Sequence, residues 1–284
     1  MIQIGNFNSL KVVKHVDFGV YLDGGEDGEI LLPLRDMPRD CEIGDILNVF
    51  ICFDSDDRLI ATTQTPLAQV GQFACLEVVS LENVGAFLDW GLPKDLFLPF
   101  RERTRPVKVG QTVVVYIYID NTDRICASMR LDKYVQAESE KQIVDFKENQ
   151  AVELFIAART DLGFKAIING THWGMLYNNE IFQPLEHGDR LSGFIKKIRE
   201  DGKIDLSLQG AKNESPKDLG EKILALLKSE GGYLAINDKT PAEEIYQILG
   251  VSKKKYKIAL GGLYKQRLIS VHDDGIRLLK SIDS

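Results

Sequence analysis

The sequence lacks any run approaching 18 consecutive apolar residues, so nothing in it reads as a membrane-spanning helix. Its first residues, MIQIGNFNSL, join no basic segment to an apolar one, so no secretory leader is expected and the chain is expected in the cytoplasm. Cysteine is scarce. Cys41, Cys52, Cys75 and Cys126 show neither C-x-x-C spacing nor histidine partners, which argues against a zinc site and a disulfide framework and leaves buried free thiols. His15, His172, His187 and His272 accompany no G-x-S-x-G, H-E-x-x-H or phosphate-loop motif, so no catalytic residue, metal or cofactor is expected. The acidic clusters Glu26–Asp27 and Asp54–Asp57 fall in turn-like segments, where carboxylates are ordinary.

An excess of positive charge is also missing. The 284 residues carry a net charge of -7. The tail from 216 to 284 holds 12 Lys and Arg against 9 Asp and Glu, whereas the preceding body holds 23 against 33. An acidic body argues against strong sequence-independent affinity for phosphate backbones, which comes from displaced counterions, so any nucleic-acid site must be local. With 44% hydrophobic and 27% charged residues, the composition is that of a soluble globular chain.

What is present is an internal repeat. Gly19, Pro33, Gly44 and Arg58 recur as Gly85, Pro99, Gly110 and Arg124, each displaced by 66 residues. Gly163, Tyr177 and Gly188 continue the series at a displacement of 78, with Lys203 slipped by one further residue. Three similar units of roughly 60 residues therefore precede a different C-terminus. In the first copy, strands are expected at Leu10–His15, Phe18–Leu22, Ile30–Leu32, Ile46–Phe53 and Leu59–Thr62, with a polar hairpin turn at Asp54–Asp57. The second copy repeats them at Phe73–Ser80, Gly85–Trp90, Leu96–Leu98, Val113–Ile119 and Ile125–Met129. The third does so at Val152–Ala158, Gly163–Ile168, Trp173–Leu176, Leu191–Ile198 and Ile204–Leu208. Five short strands with one long connection after the third fit a closed barrel of the OB type, which also hides sheet edges.

The expected fold class is thus multidomain and mainly β, with three tandem five-stranded OB-fold barrels and then a winged helix-turn-helix. The boundaries are 1–65, 66–130 and 149–212 for the barrels, 131–148 for a linker helix and 216–284 for the tail. Leu131–Asp145 is polar, rich in Glu and Lys, and free of Gly and Pro, which suits that helix. In the tail, Leu219–Leu227 has helical spacing, Thr240-Pro241-Ala242-Glu243 resembles a capping box with Pro at the first helical position, and Gly250 can end the helix. Ser252 then caps a helix through Lys265, followed by Leu268–Val271, a DDG turn and Ile276–Leu279.

The runs VDFGVYLD, LLP and IGDILNVFICFDSDDRLIATT resemble the RNA-binding barrel first described in ribosomal protein S-one, and VGAFLDW, FLP and VGQTVVVYIYIDNTDRICASM repeat that likeness. The third copy matches mainly through HGDRLSGFIKKIREDGKIDLSL. Together with the tail, with NEIF at 179–182 and with SKKKYK…LYK at 252–265, the whole chain resembles the conserved virulence factor B family of bacterial RNA-binding regulators. The resemblance implies a ligand face built from Phe18, Tyr21, Asp54 and Arg58 in copy one and from Phe87, Asp120 and Arg124 in copy two. Pro33 and Pro99 stand where that family usually has His, and Val84 stands where a first aromatic belongs, which leaves Phe87 without a stacking partner. Copy three has Leu162 and Lys165 in the aromatic slots, with Phe164, Tyr177, Lys196, Lys197, Arg199 and Lys203 as nearby candidates. Copy one ranks as most RNA-competent, then three, then two.

The chemistry is plain: every base exposes a π-face on which flat side chains stack, and an Arg at the rim reaches phosphate or stacks as well. Two readings stay open at each position. Phe18 and Tyr21 serve equally as barrel core, and the Asp–Arg pairs equally as hairpin salt bridges. In the tail, Ser252, Lys253, Lys254, Lys255 and Lys257 form a basic start to a recognition helix, and Tyr256 joins them if the ligand is duplex DNA. The expected partner is single-stranded RNA. Duplex DNA read by the winged helix, and protein contacts on the ribosome or an RNA-decay complex, are the alternatives.

Overall fold

The computed structural model describes residues 2–54, 56–141, 145–181, 183–208 and 216–279. It contains three closed five-stranded barrels and a helical region carrying a small sheet. The chain divides into two compact units, Met1–Ile143 with Gly170–His172, and Val144–Asn169 with Trp173–Ser284.

In the first unit, barrel 1 consists of β1 (Phe7–Val16), β2 (Gly19–Asp23), β3 (Glu29–Pro33), β4 (Ile46–Phe53) and β5 (Leu59–Thr62), closed in the order β1-β2-β3-β5-β4. Barrel 2 repeats this with β6 (Phe73–Glu82), β7 (Gly85–Asp89), β8 (Leu96–Pro99), β9 (Thr112–Ile119) and β10 (Ile125–Ser128). Closure needs the long first strand to bend, and a bulge does so at the same place in each copy: Val12/Lys14, Val78/Ser80 and, in barrel 3, Ile156/Ala158. The repeat landmarks explain one another. Gly19 lies opposite Pro33 and Gly85 opposite Pro99, and a Cβ at either glycine would overlap the carbonyl oxygen of Leu32 or Leu98. Glycine is required where the third strand crosses the second this closely.

Barrels 1 and 2 share apolar packing. Along β4, Val49, Phe50 and Ile51 are consecutively buried, which on a strand means that both faces are covered. Val49 and Ile51 fill barrel 1, whereas Phe50 belongs to the core of barrel 2 and packs edge-on against Phe7 at 5.6 Å and Trp90 at 5.7 Å. Backbone bonds from Val70 N to Gly5 O (2.9 Å) and from Leu67 N to Trp90 O (2.8 Å) hold the joint. Tyr116 is the counterpart of Phe50 in barrel 2. It stacks on Tyr134 of α1 (Leu131–Lys141) at 4.3 Å and donates to Glu138 Oε1 at 2.8 Å, so the expected linker helix is docked by the same device.

In the second unit, barrel 3 comprises β11 (Ala151–Thr160), β12 (Gly163–Ile168), β13 (His172–Tyr177), β14 (Arg190–Ile198) and β15 (Ile204–Ser207). The one-residue slip in the third repeat is a bulge of β14 between Ile195 and Lys197. The tail folds as α2 (Pro216–Ser229), β16 (Tyr233–Leu234), α3 (Ala242–Leu249), α4 (Lys253–Lys265), β17 (Ile269–His272) and β18 (Gly275–Leu278). Its sheet order is β16-β18-β17, one strand more than the expected hairpin. Gly250 ends α3 in the left-handed region at φ 70°, as expected. The capping box does not form: Pro241 occupies the N-cap with no side-chain bond, and the Thr240 hydroxyl accepts instead from Asn237 N at 2.8 Å. Phe182 of NEIF, residues 142–144 of the expected linker and residues 209–212 of the expected third barrel lie outside the described residues.

Candidate nucleic-acid interface

On barrel 1, Phe18 precedes β2 in the turn and is 56% exposed, while Tyr21 points outward from the strand between buried Val20 and Leu22. Because Phe18 sits outside the strand, alternation does not separate it from Tyr21, and the rings meet edge to face at 6.5 Å. Lys14, opposite Tyr21 in register, places its ammonium 5.6 Å from that ring. Sequence reasoning missed Lys14. Its signal was its position beside the β1 bulge, which turns it to the same face.

The hairpin acids are salt bridges that shape the turn. Asp54 Oδ1 accepts from Asp56 N and Arg58 N, both at 2.9 Å, and Oδ2 lies 3.2 Å from Arg58 Nε. The backbone bond from Arg58, helped by that from Asp56 and by the guanidinium, holds this carboxyl below its ordinary value. Asp120 is more enclosed: its oxygens accept from Thr122 Oγ1 (2.6 Å), Thr122 N (2.8 Å) and Arg124 Nη2 (2.8 Å). Burial pushes its pKa up, but the hydrogen bonds from Thr122 and Arg124 outweigh that and hold it well below the carboxylate range. Asp57 and Asp123 take the left-handed turn position, at φ 57° and 60°, which Gly202 fills in copy three. Asp54 and Asp120 thus orient the arginines of their own hairpins. The Arg58 and Arg124 side chains stay 71% and 55% exposed at the barrel rims. Next to Asp120, the Cys126 thiol is pushed up to about 12 by burial and by that carboxylate; none of the four cysteines forms a disulfide, and Cys41 and Cys126 are buried as expected whereas Cys52 and Cys75 are only half-buried.

On barrel 2, Phe87 is not alone. Phe97, its register partner on β8, meets it at 5.4 Å with an interplanar angle of 38°, and the Arg124 guanidinium lies 5.9 Å from the Phe97 centroid. A cross-strand neighbour ten positions away in sequence therefore supplies the aromatic that Val84 lacks.

Barrel 3 differs in chemistry. Phe164, a candidate for the ligand face, is 7% exposed and packs in the core with Leu154, Ile168 and Leu206. Strand parity is the reason: Phe164 and Ala166 point inward, and Lys165 holds the outward place of Tyr21 and Phe87. The Lys165 ammonium sits 3.7 Å from the Trp173 centroid. At the hairpin, Arg199 stands where the other copies have Asp. It pairs with Asp205 at 2.9 Å and donates to the Tyr177 hydroxyl. Lys203 pairs with Asp201 at 2.8 Å and Lys196 with Glu180 at 2.6 Å, while Lys197 is exposed. Here a lysine replaces the outward ring of the other copies and an arginine replaces their hairpin acid, each lying against a ring of β13.

In the tail, Ser252 is a helix cap whose hydroxyl accepts from Lys255 N at 3.4 Å. Tyr256 is fully buried in the domain core, so it leaves the duplex-contact set. Lys253 reaches the Lys239 carbonyl at 3.1 Å, and Lys255 is half-buried. Lys254 and Lys257 are exposed one helical turn apart, and Ile258 and Tyr264 are exposed further along α4.

Comparison with known proteins agrees with this geometry. The S1 domain matches residues 4–64 and 70–130, and the CvfB-like winged helix domain matches residues 221–278. The class is therefore that of tandem S1 barrels followed by a winged helix, domain types that bind nucleic acid rather than enzyme families. An uncharacterized protein YitL of Bacillus subtilis is 28% identical over 90% of this chain and 87% of that protein. Conserved virulence factor B of Staphylococcus saprophyticus is 24% identical, with 97% and 94% covered, and that of Staphylococcus aureus USA300 is 24% identical, with 98% and 94% covered. A crystal structure of a multidomain protein with nucleic acid binding domains from Streptococcus pneumoniae aligns with 97% of this chain and 98% of that chain at 23% identity, with a TM-score of 0.43. The chain is thus similar over nearly its whole length to proteins named conserved virulence factor B, and it carries S1 domains and a CvfB-like winged helix domain. Among the described residues, no helix is long and apolar enough to cross a membrane.

Proposed function

We propose that this protein is a non-catalytic RNA-binding regulator that holds a single strand through its barrels. The observation that carries the reading is the pairing of ring and cation on each of the first two barrels. Phe18 and Tyr21 stand beside Lys14, with Arg58 exposed on the last hairpin, and Phe87 and Phe97 stand beside Arg124. Rings stack on bases at about 1–3 kcal/mol each, and the guanidiniums reach phosphate. The cations of barrel 3, Lys165, Lys197 and Arg199, suit the phosphate backbone better than bases. Weak sites joined in one chain combine through effective concentration, which gives useful affinity without a basic surface.

The exposed Lys254 and Lys257 of α4 favour a second nucleic-acid contact through the winged helix. Fluorescence anisotropy with short labelled single-stranded RNA, matched single-stranded DNA and duplex DNA at low salt tests both parts. Binding of single-stranded RNA is the expected result. Absence of binding would remove the RNA reading, and a duplex preference lost on changing Lys254 and Lys257 to Ala would favour the DNA reader. Capture of ribosomal or decay proteins that survives nuclease treatment would favour the adaptor.

A further inference from the structure

Between barrels 1 and 2, inside the first unit, lies a cleft of about 700 Å³. One wall is the ring pair Phe87 and Phe97 with Arg124, the face just described on barrel 2. The other wall is barrel 1 itself, through Cys52 and Phe53 of β4 and Ile60, Ala61 and Thr62 of β5. The walls are fixed relative to one another. Phe50 and Trp90 fill the joint behind them, and Lys94 donates across it to Asp54 O at 2.7 Å and to Asp57 Oδ1 at 2.9 Å. Barrel 2 therefore offers a bounded slot where barrel 1 offers an open platform.

The chemistry of the slot selects its occupant. A flat ring can lie between the Phe87–Phe97 pair and the aliphatic wall of Ile60, and a cleft of this volume takes a ligand the size of one nucleotide rather than a run of them. The polar groups at its mouth are mostly engaged: Asp36 accepts from Gln64 at 2.8 Å, Asp54 serves its hairpin, and Asp57 holds Lys94. Asp95 is the carboxylate left, with neither hydrogen bond nor ion pair among the described residues. Partial desolvation at the cleft mouth and the neighbouring Asp89 raise its pKa, although the residue stays exposed. A carboxylate only accepts, so facing the C4 substituent of a pyrimidine it favours the amino group of cytosine over the carbonyl oxygen of uracil.

We infer that the cleft between barrels 1 and 2 holds one unstacked nucleobase bearing an exocyclic amino group, lying on Phe97 and Phe87 with its amino group toward Asp95. The inference rests on the single-strand reading above and adds a composite pocket to which both barrels contribute.

Cytosine and uracil are matched in size and differ at the amino position, so oligocytidylate and oligouridylate of equal length are the probes. By fluorescence anisotropy, the intact chain should bind oligocytidylate about tenfold more tightly than oligouridylate, the discrimination of one charge-assisted hydrogen bond. Asp95→Ala, at an exposed position, should abolish the preference. Phe97→Ala, and Ile60→Trp, which fills the slot from the barrel 1 side without leaving a cavity, should each weaken oligocytidylate binding about tenfold. Phe18→Ala should weaken both probes and leave the preference intact. Circular dichroism checks folding, and Ile60→Trp decides the matter should Phe97→Ala fold poorly. If the intact chain binds neither probe, the RNA reading itself falls. If it binds both and Phe18→Ala weakens binding while Ile60→Trp and Asp95→Ala leave affinity and preference unchanged, the cleft inference alone is overturned. Equal losses for both probes in the cleft variants would also overturn it.

Discussion

Truncating Phe18 to Ala separates stacking from folding. The ring is 56% exposed and touches Tyr21 only edge-on at 6.5 Å, so its removal leaves no cavity and should change folding stability by no more than about 0.5 kcal/mol. Its loss to RNA should be larger. One base stacked on an aromatic is worth about 1–3 kcal/mol, and Tyr21 with Lys14 remains as part of the platform, so a loss near 1.4 kcal/mol, about tenfold in Kd, is expected. Arg58 acts differently. Its guanidinium is held by Asp54 and Asp56 at 3.2 and 2.5 Å, and it faces outward at the rim. Arg58→Ala should weaken binding to all sequences and lower the slope of log affinity against log salt by about 0.7, the value for one phosphate on a single strand. Because the two side chains share no partner, the double variant should be additive to within about 0.5 kcal/mol. Fluorescence anisotropy across a salt series measures all three quantities. Unchanged affinity in the folded Phe18→Ala variant would refute the stacking platform, and an unchanged salt slope in Arg58→Ala would refute the phosphate role.

Phe50→Ala removes a fully buried ring shared by two barrels and should cost about 3–5 kcal/mol in chemical denaturation; a loss below about 1 kcal/mol would mean that the barrels do not depend on this joint. Asp120 has a depressed folded-state pKa, so its stabilisation is present above its unfolded value near 4 and is lost as pH falls from there, by at most about 1.4 kcal/mol per pH unit. Asp120→Asn should therefore be destabilised at neutral pH and show a shallower acid-side slope than the parent; parallel slopes would contradict this. Changing Lys254 and Lys257 to Ala should lower the salt slope by about 0.7–0.9 for each phosphate contact while base preference survives. An unchanged slope would assign the winged helix to protein contact.

The barrels were legible because their landmarks are steric. Gly19 and Gly85 stand where the third strand's carbonyl crosses, and the same requirement in each copy writes the 66-residue displacement into the sequence. The slip at Lys203 was legible too, although only the structure shows it to be the bulge after Ile195. What escaped was set by pairing across strands. Phe97 became the partner of Phe87 only through the register of β7 and β8, and Phe164 went to the core because Lys165 took the outward phase. The joint between barrels carried a readable signal, the three consecutive buried apolar residues Val49, Phe50 and Ile51, since an unpaired barrel would leave the middle one wet. Thr240 was misread because Asn237, three residues earlier, competes for its hydroxyl.

Phe50 also constrains how this protein can be made. During synthesis, barrel 1 has all five of its strands once Thr62 has emerged, but the ring that Phe50 turns outward has no cover until Trp90 follows. For that interval the nascent chain shows an aromatic patch, Phe7 beside Phe50, of the kind that draws chaperones or neighbouring chains. A fragment cut after barrel 1 would keep the patch permanently, whereas one cut after Lys141 would cover Phe50 and also keep α1 over Tyr116, so the smallest piece containing barrel 1 that should express as a well-behaved monomer is the pair with its helix and not the single repeat.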